Sequence, residues 1–158
     1  MTKSDVFIIP VSLIVAFMLT ILPMPGWAIW LRPLWVLMAL IYWAMVRPEL
    51  VGVGVAWLSG LFLDVLQGTL LGEHAFALTI VIFVVAKMSS RMRMFHVIQQ
   101  SVSVFFLSMF FLAIIFGIQG FLGLPPESFL YWAQALTTML LWPWFYSILR
   151  SRTRDRIA

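Results

Sequence analysis

The stretch Gly60-Leu-Phe-Leu-Asp-Val-Leu-Gln-Gly-Thr-Leu-Leu-Gly72 sets one carboxylate inside an apolar run, with Gly60, Asp64, Gly68 and Gly72 four residues apart. Upstream, Gly52 and Ala56 continue the same interval. Small residues at this spacing lie along one face of a helix and let helix backbones approach closely in lipid. The part played by the aspartate therefore depends on the solvent around the segment.

Composition identifies that solvent. The 158 residues are 63% hydrophobic and 10% charged, with a mean hydropathy of +1.06. Soluble domains run at about 45–50% apolar and about 25% charged. Residues 7–22 and 97–120 carry no charge at all, and a bilayer core requires about 20 apolar residues per helix. An all-α integral membrane protein is expected, because barrel strands would alternate apolar and polar residues. There is no cysteine, which excludes disulfides and thiolate chemistry. Leu22-Pro-Met-Pro-Gly26 lacks the small residues of a cleavage site, so the first apolar segment reads as an uncleaved span.

Six spans are expected at about 6–22, 33–46, 50–67, 74–87, 99–118 and 129–149, the second starting as early as Trp27. Together they form a single membrane domain over 1–158 with a basic tail at 150–158. Turn chemistry at Pro23-Met-Pro-Gly26, Arg47-Pro48, Gly120 and Gly123-Leu-Pro-Pro126 marks the joints. With the N-terminus inside, Lys3, Arg47, Lys87, Arg91, Arg93, Arg150, Arg152, Arg154 and Arg156 fall on the cytoplasmic side, and only Arg32 falls outside. Positive residues gather in cytoplasmic loops, so a six-helix bundle with both termini cytoplasmic is expected. The net charge of +4 then reports topology rather than nucleic-acid binding. In the fourth loop Met88, Met92 and Phe95 share one face; this reads either as a short interfacial helix or as an ordinary basic loop.

Chemistry-bearing residues are sparse. Of Asp5, Glu49, Asp64, Glu73, Glu127 and Asp155, only Asp64 falls within a span. Paired carboxylates for acid–base work are thus not expected. His74 and His96 fall on opposite sides of the membrane and cannot share a metal. No enzyme and no cofactor are expected. Asp64 lies about 21 Å along its span at 1.5 Å per residue, in the outer third of the bilayer. An intramembrane carboxylate marks a functional site by default; the alternative is a structural role at the frayed helix end near Gly68. The stripe of small residues turns Asp64 toward protein. Arg32 is its expected ion-pair partner, the other reading being hydrogen bonds from Gln67, Thr69 or His74. Trp27, Trp30, Trp43, Trp132, Trp142 and Trp144 are placed near the interfaces, as aromatic belts are, and Pro143 is expected to kink the last span.

Three stretches together resemble the rod shape-determining MreD family: residues 32–43, opening Arg32-Pro-Leu-Trp, the segment 60–72, and Leu141-Trp-Pro-Trp-Phe145 with Trp142, Pro143 and Trp144. Their order, their spacing and the basic C-terminal tail fit over nearly the whole chain. The resemblance implies a bacterial inner-membrane protein of the wall-elongation machinery. The implied partners are an MreC-like periplasmic scaffold, the actin-like MreB, the RodA glycosyltransferase and a penicillin-binding transpeptidase. It assigns no catalytic residue. The family is similar in fold to substrate-binding subunits of energy-coupling-factor vitamin transporters, which supplies the alternative. For that alternative Ser12, Ala16 and Thr20 would form a docking stripe, but no polar cavity lining is evident beyond Asp64, Gln67, Gln119, Gln134, Thr137 and Thr138.

Overall fold

A helix that is apolar on every side belongs at the centre of a bundle, and the segment Trp-Val-Leu-Met-Ala-Leu-Ile-Tyr-Trp-Ala-Met-Val at residues 35–46 has no polar face. In the computed structural model, which describes residues 3–126 and 128–154, ten consecutive residues of this helix, Val36 to Met45, are buried. The described residues form six α-helices: α1 (Lys3–Ile21), α2 (Trp35–Val46), α3 (Val53–Gln67), α4 (Glu73–Met94), α5 (Val97–Phe121) and α6 (Ala133–Arg154). One-turn 3-10 segments at Ile29–Leu31 and Phe129–Trp132 lead into α2 and α6. The helix α2 touches α1, α4, α5 and α6, while α3 packs chiefly on α4 and α5 on α6. The start of α1 and the end of α6 meet at one cleft, here the proximal end; the turn after α3 gathers with the end of α1 and the start of α2 around another cavity, here the distal end.

Ile29–Val46, Glu73–Met94 and Val97–Phe121 are each long and apolar enough to cross a bilayer, and Val6–Ile21 and Val53–Gln67 are apolar but shorter. Large apolar side chains cover the outside, among them Phe7, Leu58, Phe106, Leu140 and Trp144. This surface fits a membrane protein.

Several expectations need correction. The fourth loop holds neither a separate interfacial helix nor an ordinary loop, because α4 continues without a break to Met94. No glycine or proline interrupts residues 73–94, so the backbone ladder propagates. Met92 is buried within the bundle, and Gln100 Nε2 donates to the carbonyls of Met92 and Phe95. Trp43 and Trp142 are fully buried rather than placed at an interface. Trp43 donates its indole hydrogen to Ser12 Oγ at 2.7 Å, and Trp142 lies against Phe145 and Tyr146. Trp27 and Trp144 are exposed. The helix α6 includes Pro143 and runs to Arg154, taking in the first residues of the basic tail. Glu127 and residues 155–158 lie outside the described residues. The stripe Ser12, Ala16, Thr20 is not an open docking face: Ala16 and Thr20 are buried, and Ser12 is bonded to Trp43.

Candidate functional site: the Asp64 hairpin and its cavity

A helix leaves its first backbone N–H groups without partners, and α4 has no capping side chain at its own N-cap, Gly72. Asp64, one helix earlier, fills that place. Its Oδ2 accepts from the Gly72 N–H at 2.8 Å, and its Oδ1 accepts from the His74 N–H at 3.0 Å. Oδ1 also accepts from Thr69 Oγ1 at 3.0 Å and from the His74 ring Nδ1 at 2.7 Å. A carboxylate only accepts, so His74 carries a hydrogen on Nδ1. The side chain of Asp64 has no exposed surface. Its backbone carbonyl meanwhile receives the Gly68 and Thr69 N–H groups that close α3. One residue thus ends α3 with its backbone and begins α4 with its side chain.

The turn needs glycine at two places. Gly68 (φ 65°) and Gly72 (φ 101°) occupy the left-handed region, where a Cβ is strained. These two glycines therefore shape the turn rather than extend a packing stripe, and Gly52 is the half-buried N-cap of α3. Ala56 and Gly60 are the members of the stripe that pack. A Cβ placed on Gly60 would fall 2.5 Å from the Ala75 nitrogen and 2.8 Å from the His74 carbonyl carbon. Close approach at Gly60 is what brings His74 within reach of Asp64.

The expected Asp64–Arg32 pair does not form. Arg32 sends Nη1 to the Thr20 carbonyl and Nη2 to the Leu22 carbonyl. Those carbonyls terminate α1 and have no helical partner, and a helix C-terminus attracts a cation. The alternative reading holds for Thr69 and His74; no hydrogen bond from Gln67 to Asp64 is found. Nor is Asp64 the lone buried acid. Glu73 is buried at the start of α4 and accepts from Gln119 Nε2 at 2.7 Å, tying α4 to α5.

Beside the hairpin lies a cavity of about 280 Å³, under the two 3-10 segments. Arg32, Gln67, Thr69, His74, Gln119 and Gln134 supply polar groups, and Phe111 and Tyr131 supply aromatic walls. Tyr131 is held by a hydrogen bond from its hydroxyl to the Leu112 carbonyl at 3.0 Å. The sequence hinted at this lining through Gln67, Gln119 and Gln134, but these come from three helices and only the fold makes them converge. Thr138 instead accepts from the Leu34 N–H. Trp142, Pro143 and Trp144 lie on α6, apart from the cavity lining. No set of three or more acidic or histidine ligands able to hold a metal occurs among the described residues.

An all-helical bundle with apolar flanks and three helices long enough to cross a bilayer fits the class of membrane proteins. A family model for rod shape-determining protein MreD matches residues 1–152. The chain is also similar to the rod shape-determining protein MreD of Haemophilus influenzae, at 30% identity over 148 residues, covering 89% of this chain and 87% of that protein. No solved structure matches it. The chain belongs to the rod shape-determining MreD family, a structural family with no known enzymatic activity.

Proposed function

We propose that the chain is a non-enzymatic, multi-pass component of the bacterial inner membrane that maintains rod shape by binding an MreC-like periplasmic scaffold and organising peptidoglycan synthesis. The observation that carries this reading is the family match across residues 1–152, which takes in five helices and nearly all of α6. The six helices are read as six spans of a single membrane domain, with both termini cytoplasmic. MreB, RodA and a penicillin-binding transpeptidase complete the assembly, with membrane lipid around the bundle; neither nucleic acid nor a cofactor has a role. Among the partner-contact candidates, Trp144 is exposed and open to a direct contact. Ala56, Gly60, Asp64 and Trp142 are buried and act by holding the fold; Gly68 and Gly72 shape its turn.

The test is depletion in a rod-shaped host with purification of the tagged chain from its membranes. Rounding of the cells, together with recovery of a periplasmic scaffold, is the expected result. The cavity gives the vitamin-transporter alternative a specific footing, since Gln67, Gln119, Gln134 and His74 meet there. Rods that kept their shape but lost uptake of a vitamin would replace the scaffold reading with that one.

A further inference from the structure

A cleft of about 800 Å³ runs between α1 and α6, both of which pack on α2. Phe7, Val11 and Leu19 line one wall, and Phe145, Ile148 and Arg152 line the other. From Phe7 to Leu19 the cleft covers about 18 Å at 1.5 Å per residue, close to one leaflet of a hydrocarbon core about 30 Å thick. The hydroxyl of Ser12 on its floor is already engaged, donating to the Ile9 carbonyl and accepting from Trp43. That leaves an apolar slot with one cation, Arg152, at its proximal mouth. Among the described residues Arg152 has no ion-pair partner.

We propose that this cleft seats an anionic phospholipid of the proximal leaflet, its acyl chains along α1 and α6 and its phosphate on Arg152. The inference rests on the reading of the chain as a membrane protein. Charge complementarity selects the occupant. Basic sites between membrane helices hold anionic headgroups, and the planar guanidinium pairs with phosphate through two parallel hydrogen bonds. A partner helix seated in the slot would leave Arg152 facing apolar side chains, whereas a phospholipid satisfies both the cation and the walls.

The test uses the full chain purified in detergent, stripped of lipid and titrated by native mass spectrometry. Phosphatidylglycerol and phosphatidylcholine with identical acyl chains are compared. Phosphatidylglycerol should be retained about fivefold better, the preference one basic residue near an anionic surface supplies. Arg152→Gln should abolish that preference and leave phosphatidylcholine retention unchanged. Val15→Trp fills the cleft from its exposed side and should weaken both lipids together, with an unchanged melting temperature showing that the bundle is intact. Equal retention of the two lipids by the unmodified chain overturns the proposal, as does a preference that survives Arg152→Gln. Competition by glycerol phosphate as strong as by the lipid would reassign the site to a soluble phosphate. A photo-crosslinker at Val15 in native membranes should label phospholipid; labelling of a polypeptide overturns the lipid assignment. A chain that stayed soluble without detergent would remove the membrane reading itself.

Discussion

Asp64 satisfies groups that a tight helix hairpin leaves unpaired, and its energetic weight follows from what its loss would strand. Asp64→Ala removes the acceptor for the Gly72 and His74 N–H groups, the His74 ring and the Thr69 hydroxyl at once. A hydrogen bond to a charged group contributes about 1.5–3 kcal/mol, and a buried donor left alone costs about 1–3 kcal/mol. A loss of at least ~3 kcal/mol is expected, read as a lower melting temperature in detergent and a lower level in the membrane. Asp64→Asn keeps one acceptor but turns an amide N–H₂ toward backbone donors, so its loss should be intermediate. Arg32 acts on separate groups, the carbonyls of Thr20 and Leu22. The losses of Arg32→Ala and Asp64→Ala should therefore add within about 0.5 kcal/mol, as independent sites do. A coupling energy well above that, or rescue by the exchanged pair Asp64→Arg with Arg32→Asp, would reinstate the ion pair. The carboxylate in its apolar run was legible as a special residue, because its burial has to be compensated. Its partners were not, since counting charges overlooks the unpaired N–H and carbonyl groups at helix ends.

The packing of α3 on α4 turns on a single missing side chain. Gly60 lets the α4 backbone approach so closely that a Cβ would overlap Ala75 and His74. Backbone atoms yield less readily than a flexible side chain, so even Gly60→Ala should push the helices apart and draw His74 away from Asp64. Gly60→Leu should abolish accumulation of the folded chain, while Phe106→Leu on the exposed face of α5 should be tolerated. Equal tolerance in a depletion-complementation assay would show that the approach is dispensable. The tie between α4 and α5 allows a second check. Gln119→Leu leaves buried Glu73 without its Gln119 donor and should cost about 1–3 kcal/mol, measured by thermal melting. At this scale the sequence was a good guide to helix positions, because lipid-length apolar runs have few other readings. It misplaced the end of α4, since basic residues read as loop although nothing in 88–94 breaks a helix. It misplaced Trp43 and Trp142 as well, because an indole serves a membrane interface and a core equally: Trp43 finds an acceptor in Ser12, and Trp142 packs among the rings of Phe145 and Tyr146.

Across the whole molecule, charge is distributed along the bundle axis. Helix alternation puts Lys3, Arg47, Arg91, Arg93, Arg150 and Arg152 toward the proximal end and leaves Arg32 at the distal end. The guanidinium of Arg32 is turned inward onto the end of α1, so the distal surface presents less free positive charge than the sequence alone implies. Basic residues flanking membrane helices remain on the cytoplasmic side, and the proximal end is therefore expected to face the cytoplasm. Reporters active only in the cytoplasm or only in the periplasm, inserted after Gly26 in the otherwise intact chain or fused after Arg152, test the orientation from both ends. The Gly26 fusion should be active in the periplasm and the Arg152 fusion in the cytoplasm. Arg32→Gln should leave both activities unchanged, because that residue holds α1 rather than setting topology. Neutralising Arg91 and Arg93 together should weaken the orientation and produce mixed activity at both fusions. Periplasmic activity at both fusions of the unmodified chain would mean an even number of crossings between them, and the six-span reading would fall.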